Sequence, residues 1–263
     1  MAISLASLRR GGDTRPPRIL GYGVAGIGKT TFATEAPNPI VVQTEDGLGS
    51  IAVPTFGLLR SFHDVMQAIG SLYDEDHTFQ TVVVDSLDWL EPLIWQHTAQ
   101  QHNQPNIEAF GYGKGYLAAL DNWRAVLEGL NALRDERGMA VILLAHAEIK
   151  RFDSPETEPY DRYQPKLHVR ASALVQEHVD AVLFANYRIT TLKSDAGFGK
   201  KVVRGVSGGD RLLHTVERPA FLAKNRFGLP ETLPLSWPDF AAGIPFYAGG
   251  SAAAATPTPD DRS

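Results

Sequence analysis

A chain of 263 residues, 43% hydrophobic and 21% charged, has ordinary globular composition and enough length to bury a core without covalent staples. It has no cysteine, which excludes disulfides and thiolate metal sites, and no run nears the ~18 apolar residues of a membrane span, so a soluble cytoplasmic protein with no membrane partner is expected. The net charge of −5 hides an asymmetry: from Asn186 to Arg226 nine basic residues stand against three acidic ones, which suits a localised anion-binding face or, equally, a solvated hairpin surface.

Residues 1–17 read as a flexible lead, broken by Gly11-Gly12 and Pro16-Pro17 and lacking a signal-peptide core. "RILGYG" reads as a strand entering a glycine loop, "KTTFATEA" as a helix halted before Pro37, and "PIVVQTED" as a second strand. Phe62, Val65, Met66, Ile69 and Leu72 line one side of a helix over 61–75. "TVVVD" has the unbroken apolar character of a strand buried on both faces of a parallel sheet, and a helix follows from about Ser86 to Gln101. After the break "HNQPNIEAFGYGKGY", a long helix runs from about Tyr116 to Arg137 and "MAVILLAH" is another buried strand. "FDSPETEPYDRYQPK", with three prolines, reads as a long polar loop. A helix near 170–178, the strand "DAVLFANYRI" and hairpins over 190–237 complete the ordered part. Residues 248–263 are low-complexity and expected to be disordered. The pattern is an α/β fold: one domain over 18–247 with a mainly parallel central sheet flanked by helices and an antiparallel C-terminal hairpin extension.

Gly23, Val24, Ala25, Gly26, Ile27, Gly28, Lys29 and Thr30 fit G-x-x-x-x-G-K-[ST] at every fixed position, between a strand and a helix as a phosphate loop requires. The glycines let backbone N–H groups turn inward around phosphate oxygens. Lys29 is expected at the β/γ-phosphates, the Thr30 hydroxyl on Mg²⁺, and Thr31 at the α-phosphate. Asp85 ends "TVVVD", where a carboxylate grips Mg²⁺ through water; the alternative is an N-cap for the next helix. Glu45 ends the strand after the loop helix, at the edge where ligands bind in open α/β sheets, and could deprotonate the attacking water; Asp46 competes for that role. His146 ends "MAVILLAH" and could sense the γ-phosphate, or be an ordinary strand-end histidine. Lys224 and Arg226 share one side of a strand by alternation, which leaves open where they point.

"KNRFG" resembles the signature of the RadA branch-migration proteins, and the Lys-x-Arg pair is similar to the trans-acting finger of RecA- and DnaB-type ring ATPases. More widely, "GVAGIGKTT", "QTEDG", "VVVDSLDWL", "FGYGKGY", "LLAHAEIKRF", "PYDRYQPKL" and "AKNRFGLP" resemble the phage-encoded RecA-like ATPases of the Sak group. That resemblance implies a RecA-like core, ATP as the nucleotide, a homo-oligomer (ring or filament) with Lys224 and Arg226 reaching a neighbour's γ-phosphate, host-cytoplasmic location, and single-strand annealing or exchange alongside a single-stranded-DNA-binding protein. The RecA arrangement further implies two DNA-facing loops, 103–115 with Phe110, Tyr112 and Lys114, and 147–169 with Lys150, Arg151, Arg162 and Lys166. Aromatics beside cations suit single strands, although the same rings could pack the loops onto the core. His146 departs from RecA, which carries glutamine there, and with no separate DNA-binding domain in view, DNA contacts are expected from core loops. A nucleotide-switched helicase-loading ATPase and a P-loop kinase are the competing classes; a kinase calls for an arginine-rich lid, and no compact one is visible.

Overall fold

A computed structural model describes residues 14–195 and 201–249. In chain order the elements are β1 (Arg18–Gly23), α1 (Lys29–Thr34), β2 (Pro39–Gln43), β3 (Thr55–Leu58), α2 (Phe62–Asp74), β4 (Thr81–Asp85), α3 (Leu87–Gln101), α4 (Lys114–Glu136), β5 (Ala140–Phe152), β6 (Tyr160–Pro165), α5 (Val169–His178), β7 (Ala181–Asp195), β8 (Lys201–His214), β9 (Lys224–Asn225), β10 (Thr232–Pro234), α6 (Trp237–Ala241) and α7 (Pro245–Gly249). The expected tail falls almost wholly on residues 250–263, and most of the expected lead on residues 1–13; both stretches lie outside the described residues.

The sheet runs β10-β8-β7-β1-β5-β4-β2-β3. β3, β2, β4, β5, β1 and β7 pair in parallel, while β8, β9 and β10 add antiparallel at the C-terminal side. The expected fold class is therefore the observed one. β4 is buried along its whole length because it is paired on both edges and covered on both faces, which its β-branched run suits. Alternate residues of the strands feed two cores. Leu20, Tyr22, Val82, Val84, Val182 and Phe184 meet the helices α2, α3, α4 and α5. Ile19, Val83, Ile142, Leu144 and Leu183 meet α1 and α6 through Phe32, Trp237 and Phe240, and Phe246 and Tyr247 of α7 pack against the same cluster.

The register fixes the site. β5 lies between β1 and β4, with His146 opposite Gly23, while Asp85 of β4 lies opposite Gln43 of β2. The residues that end β1, β2, β4 and the sheet portion of β5 are thus gathered on one carboxyl edge.

Two stretches differ from the sequence expectation. The supposed loop "FDSPETEPYDRYQPK" is largely a β-hairpin: β5 continues past the sheet to Phe152 and pairs antiparallel with β6, Phe152 facing Tyr160. The three prolines do not interrupt it because Pro155 and Pro159 lie in the turn and Pro165 closes the strand. Second, β3 is a short edge strand in a stretch with no clear strand pattern, held by parallel pairing to β2.

Candidate active site

β1 delivers the glycine loop. A Cβ on Gly23 would lie 2.3 Å from the Ala185 carbonyl oxygen of β7, so glycine is required there by strand packing as well as by the loop. Gly28 has φ 107°, and its left-handed turn starts α1 at Lys29. The Lys29 amine is nearly buried and donates to the carbonyls of Gly23 and Val24, each at 3.2 Å. Burial pushes its pKa down, against the pull of Asp85, Asp88 and Glu45.

The edge is densely connected. The Thr30 hydroxyl donates to Asp85 Oδ2 at 2.7 Å, while the backbone N–H groups of Thr44 and Glu45 donate to the Asp85 carbonyl. Burial pushes the Asp85 carboxyl up, opposed by the Thr30 bond. Asp85 does not cap α3; that place belongs to Ser86. Its carboxylate and the Thr30 hydroxyl offer two hard oxygen donors beside the phosphate loop, a donor set that fits Mg²⁺ completed by waters and phosphate oxygens. No group of three or more His, Asp or Glu among the described residues forms a metal cage, and an ion of this kind does not require one.

Glu45 lines the same cleft as Gly26, Gly28, Lys29, Thr30, Thr31, Asp85 and His146. It accepts a hydrogen bond from Ser86 Oγ at 3.0 Å and stands 3.8 Å from His146 Nδ1. Asp46 lines the neighbouring groove with Arg60 and Trp89, a groove that Glu45 also borders. The site also contains a residue that the sequence reading missed. Asp88, almost completely buried, accepts from the backbone N–H of His146 at 3.0 Å and bonds its Nδ1 at 2.9 Å. Burial alone would raise the Asp88 carboxyl, but its bonds to His146 outweigh that and hold it below the usual range. The same bond raises His146 above an ordinary imidazole, against partial burial. Nδ1 therefore carries the proton toward Asp88 and Nε2 remains for the cleft. The signal was available: Asp88 follows Asp85 by three residues, in the first turn of α3, which returns its side chain toward the strand edge.

Lys224 and Arg226 are not part of this cleft in their own chain. β9 pairs with the beginning of β7, Asn225 opposite Ala181, and Ala181 lies opposite Ile19 at the start of β1. Four residues of strand, about 13 Å, separate that level from Gly23. Lys224 Nζ donates to the carbonyls of Gln176 and Val179, both 2.7 Å, and so closes the C-terminus of α5. Arg226, its side chain 56% exposed, pairs among the described residues with Asp180 at 3.7 Å, a carboxylate already held by Arg18.

The expected DNA contacts divide similarly. Tyr112 is fully exposed, between Gly111 and Gly113 in three successive residues of positive φ, with exposed Lys114 beginning α4. Phe110 instead packs edge-on against His102, and neighbouring Tyr116 stacks on His168. On the β5–β6 hairpin, Arg151 and Lys166 are exposed and Lys150 pairs with Glu148. Arg162 is mostly covered, lying 3.8 Å over the Phe152 ring and bound to Glu217.

A family model described as "AAA domain" matches residues 15–227. The SPbeta prophage-derived uncharacterized protein YorG of Bacillus subtilis (strain 168) is 26% identical over 171 residues, which cover 62% of this chain and 48% of that protein; the chain spans about half the length of this relative. A crystal structure of the RadB recombinase aligns with 81% of this chain and 88% of its own at 18% identity and a TM-score of 0.41.

Proposed function

Because the chain belongs to the AAA-domain family of P-loop ATPases, we propose that it is a RecA-like recombination ATPase, phage-derived, that binds single-stranded DNA and promotes annealing or strand exchange as an oligomer, in concert with a single-stranded-DNA-binding protein. One observation carries the reading. The groups that would bind and hydrolyse a triphosphate meet at the carboxyl edge of the sheet, while the Lys224/Arg226 pair lies at the other end of β1. A neighbouring subunit could bring that pair to the cleft; the same chain could not.

In this mechanism Gly23–Thr31 cradle the phosphates through backbone N–H groups, with Lys29 leaving its two carbonyls for the β- and γ-phosphates. Thr30 and Asp85 would hold Mg²⁺, which would offset the negative charge of the phosphates. Glu45, oriented by Ser86, takes a proton from the water that attacks the γ-phosphorus as the bond to the β,γ-bridging oxygen breaks. His146, oriented by Asp88, presents Nε2 to the γ-phosphate. Arg226 of the neighbour neutralises the charge spread over the transferred group. Tyr112 and Lys114 supply a displayed ring and a cation for a single strand.

The test is turnover per protomer across a dilution series, with and without single-stranded DNA. Specific activity should fall on dilution and rise with DNA. Tyr112→Ala should weaken DNA affinity by about tenfold at unchanged basal turnover. Full turnover by a monomer, indifferent to dilution and to DNA, would overturn the proposal.

A further inference from the structure

Arg211 lies on β8, in the part of the chain whose charge the sequence showed but whose role it did not. Its Nη1 donates to the Ile27 carbonyl at 3.3 Å. The same nitrogen stands 2.7 Å from the position a Cβ would take on Gly28, so the guanidinium packs directly against this glycine. The β8 backbone is secured at this point: Arg211 is opposite Tyr187 of β7, and its carbonyl accepts the Leu235 N–H at 3.0 Å. The adjacent carboxylate, Asp210, is engaged by Arg188, and among the described residues no acidic side chain pairs with Arg211.

The carbonyl that Arg211 bonds belongs to the same peptide unit as the N–H of Gly28. In a trans peptide those two groups point in opposite directions. Gly28 lines the phosphate cleft, and with the Ile27 carbonyl turned to Arg211 the Gly28 N–H points away from the guanidinium, which sets the cation behind this peptide. A cation on the carbonyl polarises the whole unit and makes its N–H a stronger donor. Resting on the nucleotide-site reading given above, we propose that Arg211 is a positioning residue acting in cis: from behind the loop it fixes the Ile27–Gly28 peptide and strengthens the Gly28 N–H toward a bound phosphate. The basic β7–β8 hairpin is thereby tied to the nucleotide loop of its own chain, separately from the Lys224/Arg226 pair offered to a neighbour.

The loop grips phosphate in the ground state and the transition state alike, so the effect falls on binding more than on turnover. Arg211→Met and Arg211→Lys should be compared with wild type by fluorescent-ADP titration, by KM and kcat for ATP, and by Tm without nucleotide. Arg211→Met should weaken nucleotide binding and raise KM by about five- to tenfold with kcat within about twofold, and Arg211→Lys should recover much of the loss. The Tm without nucleotide should stay within about 2 °C of wild type for both. Unchanged affinity in Arg211→Met, or a loss of affinity matched by a lower Tm and not relieved by lysine, would overturn the proposal. A wild-type chain that binds no nucleotide overturns the site itself, which distinguishes that failure from this one.

Discussion

The two edges of the central sheet are built on opposite plans. At the carboxyl edge, Thr30, Glu45, Asp85, Ser86, Asp88 and His146 come from different elements and are linked by short hydrogen bonds around a cleft. At the amino edge, Arg18, Arg134 and Arg226 share a single carboxylate, Asp180, while Lys224 closes a helix. One edge concentrates acids near a phosphate loop and the other concentrates cations. Among the described residues, a triphosphate brought to the first edge gains its own lysine but no arginine from the cleft lining; the second edge has arginine in excess. The proposed shared site requires this contrast, with the cation edge of one copy set against the cleft of another.

The largest expected effect tests the carboxyl edge alone. Lys29→Ala should reduce ATP turnover to background, at least about 100-fold, with loss of nucleotide binding, because the buried amine is the one lysine among the described residues that line the cleft. Normal turnover would remove the phosphate-loop assignment and the comparison with it.

Arg226→Ala tests the amino edge. It should keep nucleotide affinity within about twofold and lower hydrolysis by about 100-fold, since in the proposed shared site its charge acts only as the transition state forms. Mixed with Glu45→Ala, it should recover part of the activity, because some mixed seams join an intact cleft to an intact arginine; no recovery at any ratio would end the shared-site reading. Lys224→Ala sharpens the contrast within the pair. Its amine closes α5, so Tm should fall by about 2–4 °C, whereas Arg226→Ala should leave Tm unchanged. An equal drop for both would mean that the pair is simply structural.

Much of this was legible in the sequence, and the reasons for the rest are local. Strands buried on both faces, such as "TVVVD" and "MAVILLAH", announce themselves because two covering layers leave no place for a polar residue. The glycine loop is legible because phosphate geometry demands specific residues at specific spacing. Where the chain pairs with itself in a particular way, the pattern was insufficient. β6 carries acidic, basic and aromatic residues together, and its strand identity comes from pairing with the overhang of β5. Alternation placed Lys224 and Arg226 on one side but could not reveal that one is held by α5 and the other exposed, because the α5 carbonyls are distant in sequence. The helical pattern from Ser86 to Gln101 singles out no role for Asp88, and only the register of β5 against β4 brings His146 to it.

The smallest effect concerns how that register sets a charge. Bonding to Asp88 keeps His146 protonated beyond the ordinary imidazole value of 6.5. The stabilisation drawn from the pair is complete below that value and is lost as pH rises through the raised one. The cationic form donates from Nε2 to a phosphate oxygen; the neutral form with Nδ1–H does not. Triphosphate affinity in the wild type should therefore decline as pH climbs through the raised His146 pKa. Asp88→Asn removes the carboxylate that holds the proton, so the decline should begin at lower pH, with a loss of about threefold at pH 7. Glu91 is the control, because burial pushes its carboxyl up to about 7 while it bonds the backbone of His168 outside the cleft. Glu91→Gln should leave the affinity profile in place. If the profile moves with Glu91→Gln and not with Asp88→Asn, the pH response belongs to the α3–α5 packing and His146 is no sensor.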